Sequence, residues 1–390
     1  MPKTLLVIAN NNIGTSQSGG DTIFLELIKH WQNKLDITVF GCQEAHALLN
    51  RYQLDHIKFI KTDDTNLHSH PSVSNLLIHT IRRIFWGITT ALKYRHVFIS
   101  SNYCYTSSDF YPDYLLGLIY KMINRRGIWI ACHYLFISKP TDNDSSYKSE
   151  KLKGWLYFLS QIPTKYFTQK FADIIYITSE PDISYFPNKK VIVIRGGVNL
   201  NPSKKYFQSK KITKKIYDGL FIGRLHPQKG VLELIDIWQL LCVKIPNAKL
   251  AIIGDGILNQ QLISKIKKLS LQSNIKLFGF KIGAEKYKII EQSKVILHPA
   301  TFDSGGMAAA DAMSFGLPGV SFDLPALKTY YPQGMIKVPL YDKHIFANNI
   351  YLLLTNKIIY NKTSAKAIDL IKNHWNWDKQ SKIIYEKTFI

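Results

Sequence analysis

The sequence predicts an α/β fold of two domains, each a parallel sheet covered by helices. Three observations carry that expectation. Short apolar runs alternate with longer helical ones along the chain, a βαβα order that argues for parallel strands buried on both faces. The alternation breaks in a polar, Lys-rich stretch over residues 201–215 and then restarts. The 390 residues, 46% of them hydrophobic, suit two cores of ordinary size and exclude a disordered or fibrous protein.

Residues 5–9, Leu-Leu-Val-Ile-Ala, read as a buried first strand, followed by a polar, glycine-rich loop over 10–20. Asp21 stands where it could cap a helix whose Ile23, Phe24, Leu27, Ile28 and Trp31 share one face. Residues 37–40, 97–100, 128–132, 174–177 and 191–194 are further strand-like runs. After the 201–215 linker come a strand at 217–222, a helix at 230–243 and a strand at 249–253. A helix at 260–271, a strand at 275–278 and a helix at 286–292 continue the pattern. It closes with a strand at 295–297, a helix at 306–315 and a strand at 319–322. A last helix runs from about Trp377 to Lys387. The expected domains are therefore 1–200 and 201–372, with 373–390 as a closing segment. Ligands of such sheets sit beyond the carboxyl ends of strands, so the cleft between the domains is the expected site.

Fifty Lys and Arg against 28 Asp and Glu give a net charge of +22. Residues 1–200 hold 22 basic and 15 acidic residues, and residues 201–390 hold 28 and 13, so no basic arm or tail stands out. The excess fits a polyanionic partner such as a phosphorylated substrate or an anionic membrane. It fits equally a Lys-rich composition with no binding role. No RRM, zinc-finger or helix-turn-helix signature supports nucleic acid as a partner. No run of 18 apolar residues predicts a spanning helix, and the apolar run near the N-terminus is too short for a secretory signal. Cys42, Cys104, Cys132 and Cys242 show no C-x-x-C spacing and read as reduced, buried thiols of a cytoplasmic protein.

Several turns invite a phosphate. Gly14-x4-Gly19 is followed by Gly20-Asp21 and not by Lys-Ser/Thr, so it is no P-loop, although Gly19 and Gly20 would open a helix with free N–H groups. Gly254-Asp255-Gly256 lacks the third glycine of a dinucleotide fingerprint and reads equally as an ordinary strand-to-helix turn. Arg224 and Lys229 follow a strand and precede a helix, where a guanidinium fork and an ammonium could grip a diphosphate from two sides. The segment 298–323 is the strongest. Gly305 and Gly306 bare backbone N–H groups at the start of a helix of small residues, Met307 to Met313, which favours an anion. Asp303 lies just before that helix. Asp311 lies inside it, where a carboxylate among small apolar residues needs a partner such as ribose hydroxyls.

These residues resemble the retaining, nucleotide-sugar-dependent glycosyltransferases of family 4, which have the GT-B fold. Ile194-Arg195-Gly196-Gly197-Val198-Asn199 resembles that family's "IPNGVD" block, and Gly223-Arg224 with Lys229-Gly230 its "GRL-x-x-x-KG" block. Ile253-Gly254-Asp255-Gly256 resembles its "IxGxG" turn. Asp303-x7-Asp311, followed by Ala-Met-Ser-Phe-Gly-Leu-Pro, resembles its "E-x7-E-A-M-A-x-G-x-P" signature. The likeness covers essentially the whole second domain and is weaker over the first.

The resemblance implies two Rossmann-like, doubly wound domains facing a cleft, with the C-terminal helix packed back on the first. It implies a UDP- or GDP-sugar donor, no metal, and a glycan or lipid-linked acceptor in surface polysaccharide, lipopolysaccharide or glycolipid synthesis. By it, Arg224 and Lys229 hold the donor diphosphate, and Gly305, Gly306 and Met307 lie at the same phosphates or sugar. Asp311 binds the ribose, Asp303 meets the donor sugar, and Gly19, Gly20 and Gly254 border the nucleotide sugar. His133 reaches the donor sugar from the first domain, unless it is only a core histidine. Both carboxylates of the family's Glu pair are Asp here, one methylene shorter, which keeps open a second reading: a weak or inactive module that binds nucleotide sugar or glycan.

Asp142-Asn143-Asp144 resembles a D-x-D metal motif but stands in a turn-like stretch and not at a strand end. Residues 81–95 and 148–170 are basic and aromatic. Either could rest on an anionic membrane face, or pack as an ordinary amphipathic helix.

Overall fold

In the computed structural model, residues 2–12, 18–63, 73–141, 151–209, 213–303 and 306–390 are described. The chain divides into two compact units, Met1–Ile194 with Asp378–Ile390, and Arg195–Trp377. Each holds one parallel sheet.

The first unit runs β1 (Lys3–Ala9), α1 (Gly19–Trp31), β2 (Leu35–Gly41), α2 (Gln43–Arg51), β3 (Lys58–Lys61), α3 (Val73–Lys93) and α4 (Arg95–Ser100). It continues β4 (Tyr103–Thr106), α5 (Tyr111–Ile123), β5 (Ile128–His133), α6 (Lys151–Phe171), β6 (Ile174–Ile177) and β7 (Lys190–Val193). The strand order is β3-β2-β1-β4-β5-β6-β7. Leu5 to Ala9 are buried, as expected of a central parallel strand.

The second unit runs α7 (Asn201–Gln208), β8 (Tyr217–Ile222), α8 (Val231–Lys244), β9 (Leu250–Ile253), α9 (Asn259–Lys268), β10 (Ile275–Leu277) and α10 (Gly283–Glu291). Then come β11 (Ser293–His298), α11 (Met307–Ser314), β12 (Gly319–Phe322), α12 (Pro325–Tyr330), β13 (Met335–Val338), α13 (Lys343–Thr355) and α14 (Lys357–His374). Helix α15 (Trp377–Phe389) closes the chain. The strand order is β10-β9-β8-β11-β12-β13. The order reverses between β8 and β11 here, and between β1 and β4 in the first unit. Those are the points where loops diverge at the carboxyl edge and leave room for a ligand.

Three local expectations are corrected. Ser18, not Asp21, caps α1: its hydroxyl accepts from the Asp21 amide at 3.1 Å, and the Asp21 carboxylate accepts from the Ser18 amide at 2.7 Å, a reciprocal capping box. The run 97–100 is helical within α4, because Val97 and Phe98 turn into the core while Tyr103 to Thr106 take the place beside β1. The stretch read as an open linker holds α7, with Pro202 in its first turn where a missing N–H costs nothing. The edge strands β3 and β13 carry no strong apolar run and were not expected.

Candidate functional site

In the second unit the loops after β8 and β11 flank the sheet's reversal point, and they bring the predicted residues together. Asp303 is the hub. Its Oδ2 accepts from Lys229 Nζ at 2.7 Å and lies 3.0 Å from His298 Nε2, and its Oδ1 accepts from the Gly306 amide at 2.9 Å. The Asp303 side chain is only 6% exposed. Burial pushes its carboxyl up, but the Lys229 charge and the His298 contact together outweigh burial and hold it well below the usual carboxylate range. It is an anion already provided with a cation, Lys229.

Gly306 stands at the N-cap of α11 with φ +56°, a left-handed conformation that suits glycine. A Cβ there would meet His298 Nε2 at 3.1 Å. The Gly306 carbonyl accepts from the Tyr331 hydroxyl at 2.5 Å, and the Tyr331 ring stacks on Trp375 at 5.1 Å between centroids. Burial, then the nearby Asp303 and Asp311 charges, keep that phenol protonated well above its ordinary range. Gly306 is thus fixed from both sides. Gly305 lies outside the described residues. Met307 borders Gly196, and Val198 donates to the Trp375 carbonyl at 2.7 Å, which gives the 194–199 block its packing role.

Arg224 is exposed on the loop after β8, with no side-chain partner among the described residues. Its fork is available to a ligand, whereas Lys229 is shared with Asp303. The backbone N–H of Leu225 donates to the Asp255 carbonyl at 2.9 Å, tying this loop to the 254–256 turn. Gly254 has φ +149°, and any Cβ there would strike the Gly223 carbonyl. Gly254 therefore has a packing reason that needs no ligand.

Asp311 does find a partner inside the unit: Lys286 on α10, Nζ to Oδ2 2.6 Å, with both side chains about one-fifth exposed. Lys286, His298 and Tyr331 were missed by sequence reasoning. His298 had a signal, since it ends a strand five residues before Asp303. Lys286 and Tyr331 had none.

In the first unit, Gly19 and Gly20 form the first turn of α1, where the Asp21 carboxylate already sits at the helix N-terminus. His133 ends β5 and is wholly buried. Its Nε2 lies 3.1 Å from Thr168 Oγ1, and Phe136 stacks on its ring at 5.6 Å. Burial, and behind it the Lys165 charge, push its pKa down to about 3, so the ring is neutral. As packed here it presents no atom to a substrate. The reversal point of this sheet holds a buried polar cluster instead. Asp113 accepts from the Asn10 amide at 2.5 Å, from Ser108 at 2.5 Å and from Ser107 at 3.0 Å. Asp142, Asn143 and Asp144 lie outside the described residues.

Residues 202–370 match the family model "Glycosyl transferases group 1". An uncharacterized glycosyltransferase of Methanocaldococcus jannaschii is 31% identical over 54% of this chain and 52% of its own. The poly(ribitol-phosphate) alpha-N-acetylglucosaminyltransferase of Staphylococcus aureus is 23% identical over 47% of this chain and 36% of its own. The chain thus spans about half or less of the length of these curated relatives. Among solved structures, Anabaena HepE, in complex with UDP and glucose, aligns over 98% of both chains with a TM-score of 0.71 at 15% identity. The sucrose-phosphate synthase of Thermosynechococcus elongatus aligns over 98% of both with a TM-score of 0.75 at 15% identity. Residues 202–370 thus match the glycosyl transferases group 1 family, and the chain's two parallel sheets have the GT-B fold of these solved structures.

Proposed function

We propose that this chain is a retaining glycosyltransferase of family 4. It would move a sugar from a UDP- or GDP-sugar to a glycan or lipid-linked acceptor in surface polysaccharide, lipopolysaccharide or glycolipid synthesis, at the cytoplasmic face of the membrane. The observation that carries this reading is the Lys229–Asp303–His298–Gly306 constellation at the reversal point of the second sheet. In it the exposed Arg224 fork and Lys229 offer the donor diphosphate two cations of different geometry, without recourse to a metal. They would stabilise the charge that grows on the departing nucleotide. The amides opening α11 add dipolar stabilisation. Asp303, held ionised and oriented, meets the donor sugar, and Asp311 the ribose. Retention follows by attack of the acceptor on the face the nucleotide leaves, through an ion-pair-like transition state, so no covalent nucleophile is needed.

A second reading is favoured by one observation: both carboxylates of the pair are Asp, and each is engaged by a lysine of its own unit. A module that binds nucleotide sugar without turnover would tolerate that. One experiment covers both readings. Thermal shift against UDP, GDP and their sugars should show stabilisation of the native state by the true donor, growing with the logarithm of its concentration. Arg224→Ala should abolish it while leaving the free protein's melting temperature unchanged. Product analysis with the identified donor then separates transfer from binding. No stabilisation by any nucleotide at millimolar concentration would overturn the donor site.

A further inference from the structure

Helices α3 and α6 are amphipathic in the inverted sense. The stripe that α3 turns inward is His79, Arg83, Gly87 and Ala91, of which Arg83 is 1% exposed. That guanidinium donates to Glu44 Oε2 at 2.6 Å and to the Asn10 carbonyl at 2.9 Å. Outward, the same helix shows Ile78, Ile81 and Phe85, which are 65%, 66% and 58% exposed. Helix α6 repeats the pattern. It buries Gly154, Gln161, Thr164 and Thr168, and Gln161 bridges Asp109 Oδ2 at 2.8 Å and the Leu135 carbonyl at 2.7 Å. It exposes Leu159, Ile162 and Tyr166 at 52%, 49% and 61%. Scattered exposed apolar residues need no explanation, but two long helices that hide polar side chains and show apolar ones do.

Both helices lie on one face of the first sheet. The connections β3 to β4, β4 to β5 and β5 to β6 all step the same way along the strand order. With right-handed crossovers, α3, α5 and α6 therefore share a side. The charge of α3 and α6 themselves has one sign. Neither 73–95 nor 151–171 contains an Asp or Glu, while Arg82, Lys93, Lys151 and Lys170 are exposed on them. Among the described residues no helix is long and apolar enough to cross a membrane. A basic, apolar helix that does not span lies in the interface plane.

We propose that the α3–α6 face docks on an anionic phospholipid surface, with the exposed apolar side chains at the headgroup–acyl boundary and the four basic side chains on lipid phosphates. Charge complementarity selects this occupant. A second copy of the chain would set one basic face against another. The proposal concerns a face of the first unit and needs no nucleotide, so it stands or falls apart from the transfer reaction.

The test is sedimentation of the full chain with vesicles of phosphatidylglycerol and phosphatidylcholine, against vesicles of phosphatidylcholine alone. The expected result is binding to the anionic vesicles and little to the neutral ones, weakening with salt. Ile81→Asp with Phe85→Asp, or Leu159→Asp with Ile162→Asp, should cut the bound fraction with the melting temperature retained. Arg82→Glu with Lys170→Glu reverses two exposed charges and should lower partitioning by roughly tenfold or more. That pair remains informative should an apolar variant fail to fold. Equal binding to both vesicle types, no binding, or binding indifferent to the charge reversal overturns the proposal. So does a lipid-free dimer that the same substitutions dissolve, combined with no vesicle binding.

Discussion

Lys229 and Asp303 lie 74 residues apart in the chain and 2.7 Å apart in the fold, joining the loop after β8 to the loop after β11. Their side chains are 18% and 6% exposed. Lys229→Ala leaves a buried carboxylate without its lysine, and should cost roughly 3 kcal/mol of stability. Lys229→Ala with Asp303→Asn should restore much of that loss, since the stranded charge is gone, and a double-mutant cycle by chemical denaturation measures the coupling. The pH dependence has a definite sign. A carboxyl held well below its unfolded value of about 3.9 contributes its full stability above that pH and loses it only as acid titrates the folded group. Wild type and Asp303→Asn should therefore differ by a constant amount across neutral pH and converge only in strong acid.

Gly306→Ala tests the cap. At φ +56° an alanine costs about 1–2 kcal/mol. Its Cβ would also press on His298 Nε2 and disturb the Asp303 contact. Stability should fall modestly, while nucleotide binding or transfer falls more than the stability loss explains. A circular dichroism melt read beside an activity or binding assay separates the two effects.

The strand–turn–helix punctuation made much of this legible from sequence. Gly223-Arg224, Lys229 and the 303–311 segment each follow a strand and open a helix, and such positions converge wherever a parallel sheet reverses its order. What stayed hidden depended on partners without a local signature. Lys286 is one lysine in a chain with many, and only the packing of α10 beside α11 brings it to Asp311. Tyr331 reaches Gly306 from the far end of α12. His133 was expected at the donor sugar on the family resemblance alone, with a core histidine as the alternative. Phe136 and Phe186 cover it instead. On α3 and α6, the basic and aromatic composition of 81–95 and 148–170 could not say which side chains met the protein.

Asp113 should impose a stability slope opposite to that of Asp303. Burial pushes its carboxyl up to about 7, more than the Ser108, Asn10 and Ser107 hydrogen bonds offset. The folded state then keeps a proton that the unfolded chain releases near pH 4, so stability declines as pH rises from about 4 to 7 and levels off above. Asp113→Asn should flatten that decline by an amount on the order of 1–4 kcal/mol across the window. Urea denaturation at several pH values measures it. An unchanged slope would mean that Asp113 is ionised throughout.

Asp311 has competing claims on it, and they separate experimentally. If the carboxylate only pairs with Lys286, Asp311→Ala and Lys286→Ala should act alike, each costing about 1–3 kcal/mol for a pair this largely buried. If it also holds the ribose, Asp311→Ala should weaken UDP or GDP by about tenfold, the worth of one lost hydrogen-bond set near 1.4 kcal/mol, and leave inorganic pyrophosphate unaffected. Lys286→Ala should not reproduce that selectivity, because it removes a cation and keeps the acceptor oxygens. Asp311→Glu extends the carboxylate by one methylene toward the reach of the family's glutamate. Improved nucleotide affinity in that variant, measured by calorimetry, would show that the shorter side chain limits the donor site. Weakened affinity would show that the Lys286 contact sets the geometry the ribose requires.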